Sequence, residues 1–245
     1  MTTLVFVHGW SVTDTSTYDQ LPQRLQPQVS ALGLSLTLAD IWRSEYVSFD
    51  DAVTMPDLVR AFGHALRDLH LLDASFACIT HSIGGPVVRE WLRAQRDKPA
   101  TLSTIKLSHL VTLAPANYGS TLAQPGKGLP GRLKSWFGGV DPSQRILDWL
   151  ELGSAESLSL NLDYIHNDDP LKRGQFQFVQ TGGRPDRSLY DHLNSYTGED
   201  GSDGVLRTAA ANLNAHHAVL SQDGTSGGVD ALALTLTAAR TVHSN

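Results

Sequence analysis

An α/β fold built on a mostly parallel sheet is what this sequence predicts, on three observations. Short apolar runs are continuous rather than alternating, which marks strands covered on both faces. Segments of helical period lie between these runs, and Gly, Pro or Asn closes each switch from one pattern to the other. Strands that alternate with helices in this way form α/β architectures.

The elements follow in order. Leu4-Val5-Phe6-Val7 is a β-branched and aromatic run stopped by His8-Gly9, and reads as a buried strand. Residues 18–32 place Leu21, Leu25, Val29 and Leu32 at helical spacing, with Pro22 in the first turn and Gly33 as the stop. A second strand is expected at Leu34–Leu38. Residues 56–70 set Leu58, Phe62, Ala65, Leu66 and Leu69 on one face of an amphipathic helix. Ser75–Thr80 is the third apolar run, and it breaks at His81-Ser82-Ile83-Gly84-Gly85 into a helix from about Pro86 to Gln95. Leu107–Ala114 and Phe176–Thr181 are the next strands, Leu206–Leu213 a helix or ordered turn, and Val229–Ala238 the last strand.

Gly119 to about Asn161 breaks the rhythm. It carries Pro125-Gly126, Pro130-Gly131 and Gly138-Gly139 beside Trp136, Phe137, Trp149 and Leu150. We expect a strand-free helical or looped insert above the sheet, because about 40 residues is marginal for an independent domain. The expected organisation is one domain over residues 1–245 with this insert at about 119–161.

The 245 residues are 41% hydrophobic and 18% charged, enough at this length for a multi-layer core without staples. Nineteen Lys and Arg against 25 Asp and Glu leave a net charge of −6, so no electrostatic footprint for nucleic acid or an anionic surface is present. One cysteine, Cys78, excludes a disulfide framework and cannot alone build a zinc site. Met1–Trp10 has neither a basic n-region nor a cleavage site, and no apolar run approaches the length of a membrane span. The expectation is a soluble, cytoplasmic protein.

Thr80-His81-Ser82-Ile83-Gly84-Gly85 joins a strand to a helix, the context of a nucleophile elbow. A serine on such a turn is lifted over the strand ends, and small neighbours let the turn pack against the sheet. Thr80 stands where G-x-S-x-G has its first glycine. A bland reading is that Ser82 only caps the helix. At the end of the first strand, His8-Gly9-Trp10 can aim the Trp10 backbone N–H across the sheet top as one oxyanion donor, with Ile83 N–H as the other.

VFVHGW (5–10), THSIGG (80–85), LAPANYGS (113–120) and GSDGVL (201–206) resemble, in order and spacing, the serine hydrolases of the α/β-hydrolase fold, specifically their lipase and esterase branch. The resemblance implies helices on both faces of the sheet and a lid after LAPANYGS. Trp136, Phe137, Trp149 and Leu150 would supply the apolar lining of that lid; the alternative is that they pack as core. The same order, serine then acid then histidine, points to Asp203, whose Ser202-Asp203-Gly204-Val205 resembles the lipase acid segment. Asp186, Asp191 and Asp200 share its loop, and Asp203 also suits a plain turn before Gly204. His243 follows the last strand and takes the histidine slot; His216 and His217 precede that strand.

The chemistry this implies is acyl transfer to water. A histidine takes the Ser82 proton as attack proceeds, a carboxylate fixes its tautomer, and two backbone donors hold the oxyanion. No metal or cofactor is called for, and the expected partner is a small-molecule or lipid ester. Thioesterase or phospholipid deacylase activity would use the same machinery. A catalytically silent binding module on the same fold is the reading from a different class.

Overall fold

A computed structural model describes residues 2–9, 18–41, 53–98, 105–123, 143–183, 201–214, 217–222 and 232–237. Five strands, β1 (Thr2–Val7), β2 (Leu36–Ile41), β3 (Phe76–His81), β4 (Leu107–Leu113) and β5 (Phe176–Gln180), make one parallel sheet in the order β2-β1-β3-β4-β5. The chain leaves β1 for β2 on one side and returns to β3 on the other. The crevice where such a sheet binds ligands therefore opens at the carboxyl ends of β1 and β3, where Val7 pairs with Thr80.

The central strands β1 and β3 are covered on both faces, as their continuous apolar runs require. Val5, Val7, Phe76 and Cys78 face α2 (Met55–Asp68) and α3 (Gly84–Arg96) in the main core. Phe6 and Ile79 point the other way, towards Tyr18, Leu21 and Leu25 at the start of α1 (Leu21–Ala31). Helices α2 and α3 approach closely because residue 63 is glycine: a Cβ there would lie 3.1 Å from Trp91 Nε1. Phe62 and Trp91 meet edge to face, with ring centroids 5.3 Å apart.

Three expectations need correction. Strand β2 begins two residues late, because Leu34 N–H bonds back to Val29 O at 3.1 Å and closes the end of α1. The last strand, β7 (Leu232–Thr237), lies outside the central sheet: it pairs antiparallel with β6 (His217–Gln222), a strand the sequence reading did not find. The aromatic lining assigned to a lid divides. Trp149 and Leu150 lie on α4 (Gln144–Leu150), are 5% and 0% exposed, and pack with Ile146 in the main core. Trp136 and Phe137 lie outside the described residues. Helix α5 (Ala155–Asn167) follows α4, so the described part of the insert is helical. No helix among the described residues is long and apolar enough to cross a membrane.

Candidate active site

Ser82 directly follows β3, with Ile83 between it and α3, and its φ is +53°. A side chain in this left-handed region costs on the order of 1 kcal/mol or more, and persists only where the surroundings impose it. Here they do. Ser82 N–H bonds to Leu113 O at 3.1 Å, and Ser82 O accepts from Gly85 N and Ala116 N, both at 3.4 Å. Ser82 is 5% exposed, and its hydroxyl hydrogen-bonds to none of the described residues. On the neighbouring strand end Ala114 is strained the same way, with φ +42°.

Two glycines make the turn possible beside Thr80. A Cβ on Gly84 would lie 3.0 Å from Val7 O and 3.3 Å from Thr80 Cβ; one on Gly85 would lie 3.1 Å from Pro115 Cβ. Thr80, fully buried, therefore replaces the usual first glycine without opening the turn.

Ile83, at the N-cap of α3, donates its N–H to no backbone acceptor among the described residues, as an oxyanion donor requires. Gly9 brings the β1 end alongside: a Cβ there would be 3.7 Å from Ser82 Cβ. Trp10, the other assigned donor, lies outside the described residues. His8 holds this strand end from below, with Nε2 3.2 Å from Asp40 Oδ1 and its ring 4.9 Å from that of Tyr18. Burial, and secondarily the neighbouring His8, push the His81 imidazole down to about 4. His81 is neutral at pH 7 and is too weak a base to serve Ser82. Burial pushes the Cys78 thiol up, which makes it inert.

Asp203 sits on a half-buried turn tied to the same sheet end. Gly201 N–H bonds to Gly183 O just beyond β5, and Tyr118 N–H to Ala210 O on the short helix α6 (Thr208–Ala211). Asp203 Oδ1 accepts from Val205 N at 2.8 Å and Leu206 N at 2.7 Å. Asp203 is thus a turn residue, and only one of its carboxylate oxygens is used by the turn. The other makes no hydrogen bond among the described residues, which leaves it for an imidazole N–H. His243 and His216 lie outside the described residues. His217 is engaged elsewhere, its Nδ1 2.6 Å from His166 Nε2 on α5.

The sequence reading gave no role to Arg89, Asn117 or Ser120, all buried. Arg89 Nη1 donates to Asn117 Oδ1 at 2.9 Å, Asn117 Nδ2 to Ala211 O at 2.7 Å, and Ser120 Oγ to Val205 O at 2.6 Å. The available signal was two polar residues just past a buried strand, where backbone groups need partners.

The strained serine at a strand-to-helix turn, on a parallel sheet with this order, defines the class: the chain has the α/β-hydrolase fold. A mature-form lipase from Bacillus licheniformis, BlEst2, shares the fold, with a TM-score of 0.52 and 16% identity over 85% of this chain and 78% of that one. The particular protein to which the chain is similar is phospholipase PlaB from Legionella pneumophila, at 44% identity and a TM-score of 0.84 over 100% of this chain. The PlaB structure in complex with thio-NAD gives 43% identity and a TM-score of 0.82, again over 100% of this chain. The chain spans about half the length of PlaB, 52% and 50% in the two structures. No protein-family model matches the chain, and no curated protein matches it.

Proposed function

We propose that this chain is a serine carboxylester hydrolase that cleaves acyl esters through a Ser82 acyl-enzyme. The observation that carries the reading is the +53° φ of Ser82 above the switch point of the sheet, strain that helix capping does not need. In the proposed cycle His243 takes the Ser82 proton as Oγ attacks the ester carbonyl. Asp203, through its open carboxylate oxygen, holds the imidazole tautomer and stabilises its cation. Trp10 and Ile83 N–H groups receive the oxyanion, an interaction able to lower the barrier by about 3 kcal/mol per donor. The protonated histidine then releases the alcohol, and water repeats the sequence on the acyl-enzyme. An insert acting as a lid belongs to the same proposal, with Trp136 and Phe137 as its apolar lining.

The acyl esters to try first are phospholipids, because PlaB is a phospholipase. Turnover is measured on p-nitrophenyl esters of rising acyl length and on phosphatidylcholine vesicles, with Ser82→Ala as the control. Activity lost in Ser82→Ala supports the reading; activity retained by that variant rejects it.

A further inference from the structure

Ser120 reaches the acid through a single peptide group. Its hydroxyl, 1% exposed, donates to Val205 O at 2.6 Å. The N–H of that same peptide unit belongs to Leu206 and donates to Asp203 Oδ1 at 2.7 Å. Hydroxyl, peptide and carboxylate therefore stand in series, and each bond polarises the next. Four further bonds shape the turn: Val205 N–H to Asp203 Oδ1 at 2.8 Å, Gly204 N–H to Ser202 Oγ at 3.0 Å, and Asp203 N–H and the Ser202 hydroxyl to Leu206 O, both at 3.1 Å. All four lie within the turn; from outside it, Gly201 N–H to Gly183 O ties the turn's start to the segment after β5, and the Ser120 hydroxyl ties its end.

Ser120 itself is anchored. Its N–H bonds to Leu150 O at 2.8 Å, and its Oγ accepts from Leu122 N at 3.2 Å. Gly119 permits this approach: with φ +86°, a Cβ on it would be 2.5 Å from Glu151 O and 2.6 Å from Leu150 O. Four residues upstream, Ala116 N–H holds the Ser82 carbonyl. One short loop thus grips the nucleophile turn at its start and the acid turn at its end.

We propose that Ser120 is a positioning residue that sets the Asp203 carboxylate relative to Ser82 through the Val205–Leu206 peptide. This rests on the proposed function, since it requires Asp203 to be the triad acid. Removing the hydroxyl leaves the Val205 carbonyl without its donor and lets the acid turn drift. A misplacement of this kind costs about tenfold to a hundredfold in rate.

The test is a double-mutant cycle on p-nitrophenyl butyrate with Ser120→Ala, Asp203→Ala and the pair. Ser120→Ala is expected to lower kcat about tenfold or more, with KM changed less than twofold. The acid limb of its kcat/KM profile should move to lower pH, because a histidine that loses its carboxylate partner becomes a weaker base. In the Asp203→Ala background, Ser120→Ala should cost nothing more. Ser120→Cys replaces the hydroxyl with a slightly larger, weaker donor and should fall between the parent and Ser120→Ala; it carries the cycle if Ser120→Ala does not fold. A full Ser120 penalty that persists without Asp203, or an acid limb that stays in place, overturns the proposal while leaving the acid assigned. An Asp203→Ala loss below about tenfold removes the acid assignment itself, and the proposal with it.

Discussion

Gly84 lies so close to β1 that a Cβ on it would stand 3.0 Å from the Val7 carbonyl oxygen. That oxygen belongs to a central strand and cannot retreat as a side chain would. The turn that carries Ser82 and the end of β1 are thus fitted against each other through a glycine.

Gly84→Ala should therefore weaken both fold and activity. Helix propensity favours alanine by about 1 kcal/mol, but overpacking against backbone costs about 1–3 kcal/mol. We expect a net loss of stability in urea denaturation and a fall in kcat of at least tenfold.

Ser82 offers a sharper separation of stability from activity. Ser82→Gly should abolish ester hydrolysis and raise the urea midpoint, because glycine relieves a φ of +53°. Ser82→Ala should abolish hydrolysis with the midpoint nearly unchanged. A lower midpoint for Ser82→Gly would contradict the strain argument.

The described end of the insert packs into the core. Trp149 is 5% exposed and packs with the residues of α2 and α3 in the main core. Trp149→Ala should cost about 3–5 kcal/mol of stability, read by urea denaturation, without altering acyl-length preference. A selective change in acyl preference at unchanged stability would place Trp149 in the substrate path instead.

Acid should destabilise the fold through His81. Its folded value of about 4, set by burial and secondarily by His8, lies below the ordinary imidazole value of 6.5. Between these values the unfolded chain binds the proton and the folded one does not. Stability from this group is complete above about pH 6.5, falls as pH drops towards 4, and is then level. The loss amounts to about 3 kcal/mol. His81→Gln should flatten stability over that window; an unchanged pH dependence in the variant would exclude His81 as the cause.

The parallel strands were legible because burial on both faces writes continuous apolar runs, and LVFV and the run to Thr80 are unambiguous. The elbow was legible from its place between two periodicities. Strand β6 was not, since the apolar run in HAVLSQ is only Ala218-Val219-Leu220, and the pattern of β7 says nothing about which strand it pairs with. Nor did sequence spacing reveal that Trp149 and Leu150 face inwards, because the same apolar pair suits a lid or a core. Ser120 and Asn117 stood within LAPANYGS without an assigned role for a different reason: their partners are carbonyls 85 and 94 residues away.

The histidine is settled by substitution. His243→Ala should reduce kcat by several orders of magnitude, while His216→Ala and His217→Ala should retain most activity. For His217 the expectation follows from its bond to His166. A large loss confined to His216 or His217 would move the base.

The central claim is that Ser82 is the nucleophile, and covalent labelling addresses it without choosing a substrate. The folded chain is treated with a fluorophosphonate, its mass is measured intact, and the modified peptide is sequenced. One phosphonyl adduct on Ser82, abolished in Ser82→Ala and slowed in Asp203→Ala, is the predicted result. Folded protein that stays unlabelled, or an adduct on another residue, would contradict it.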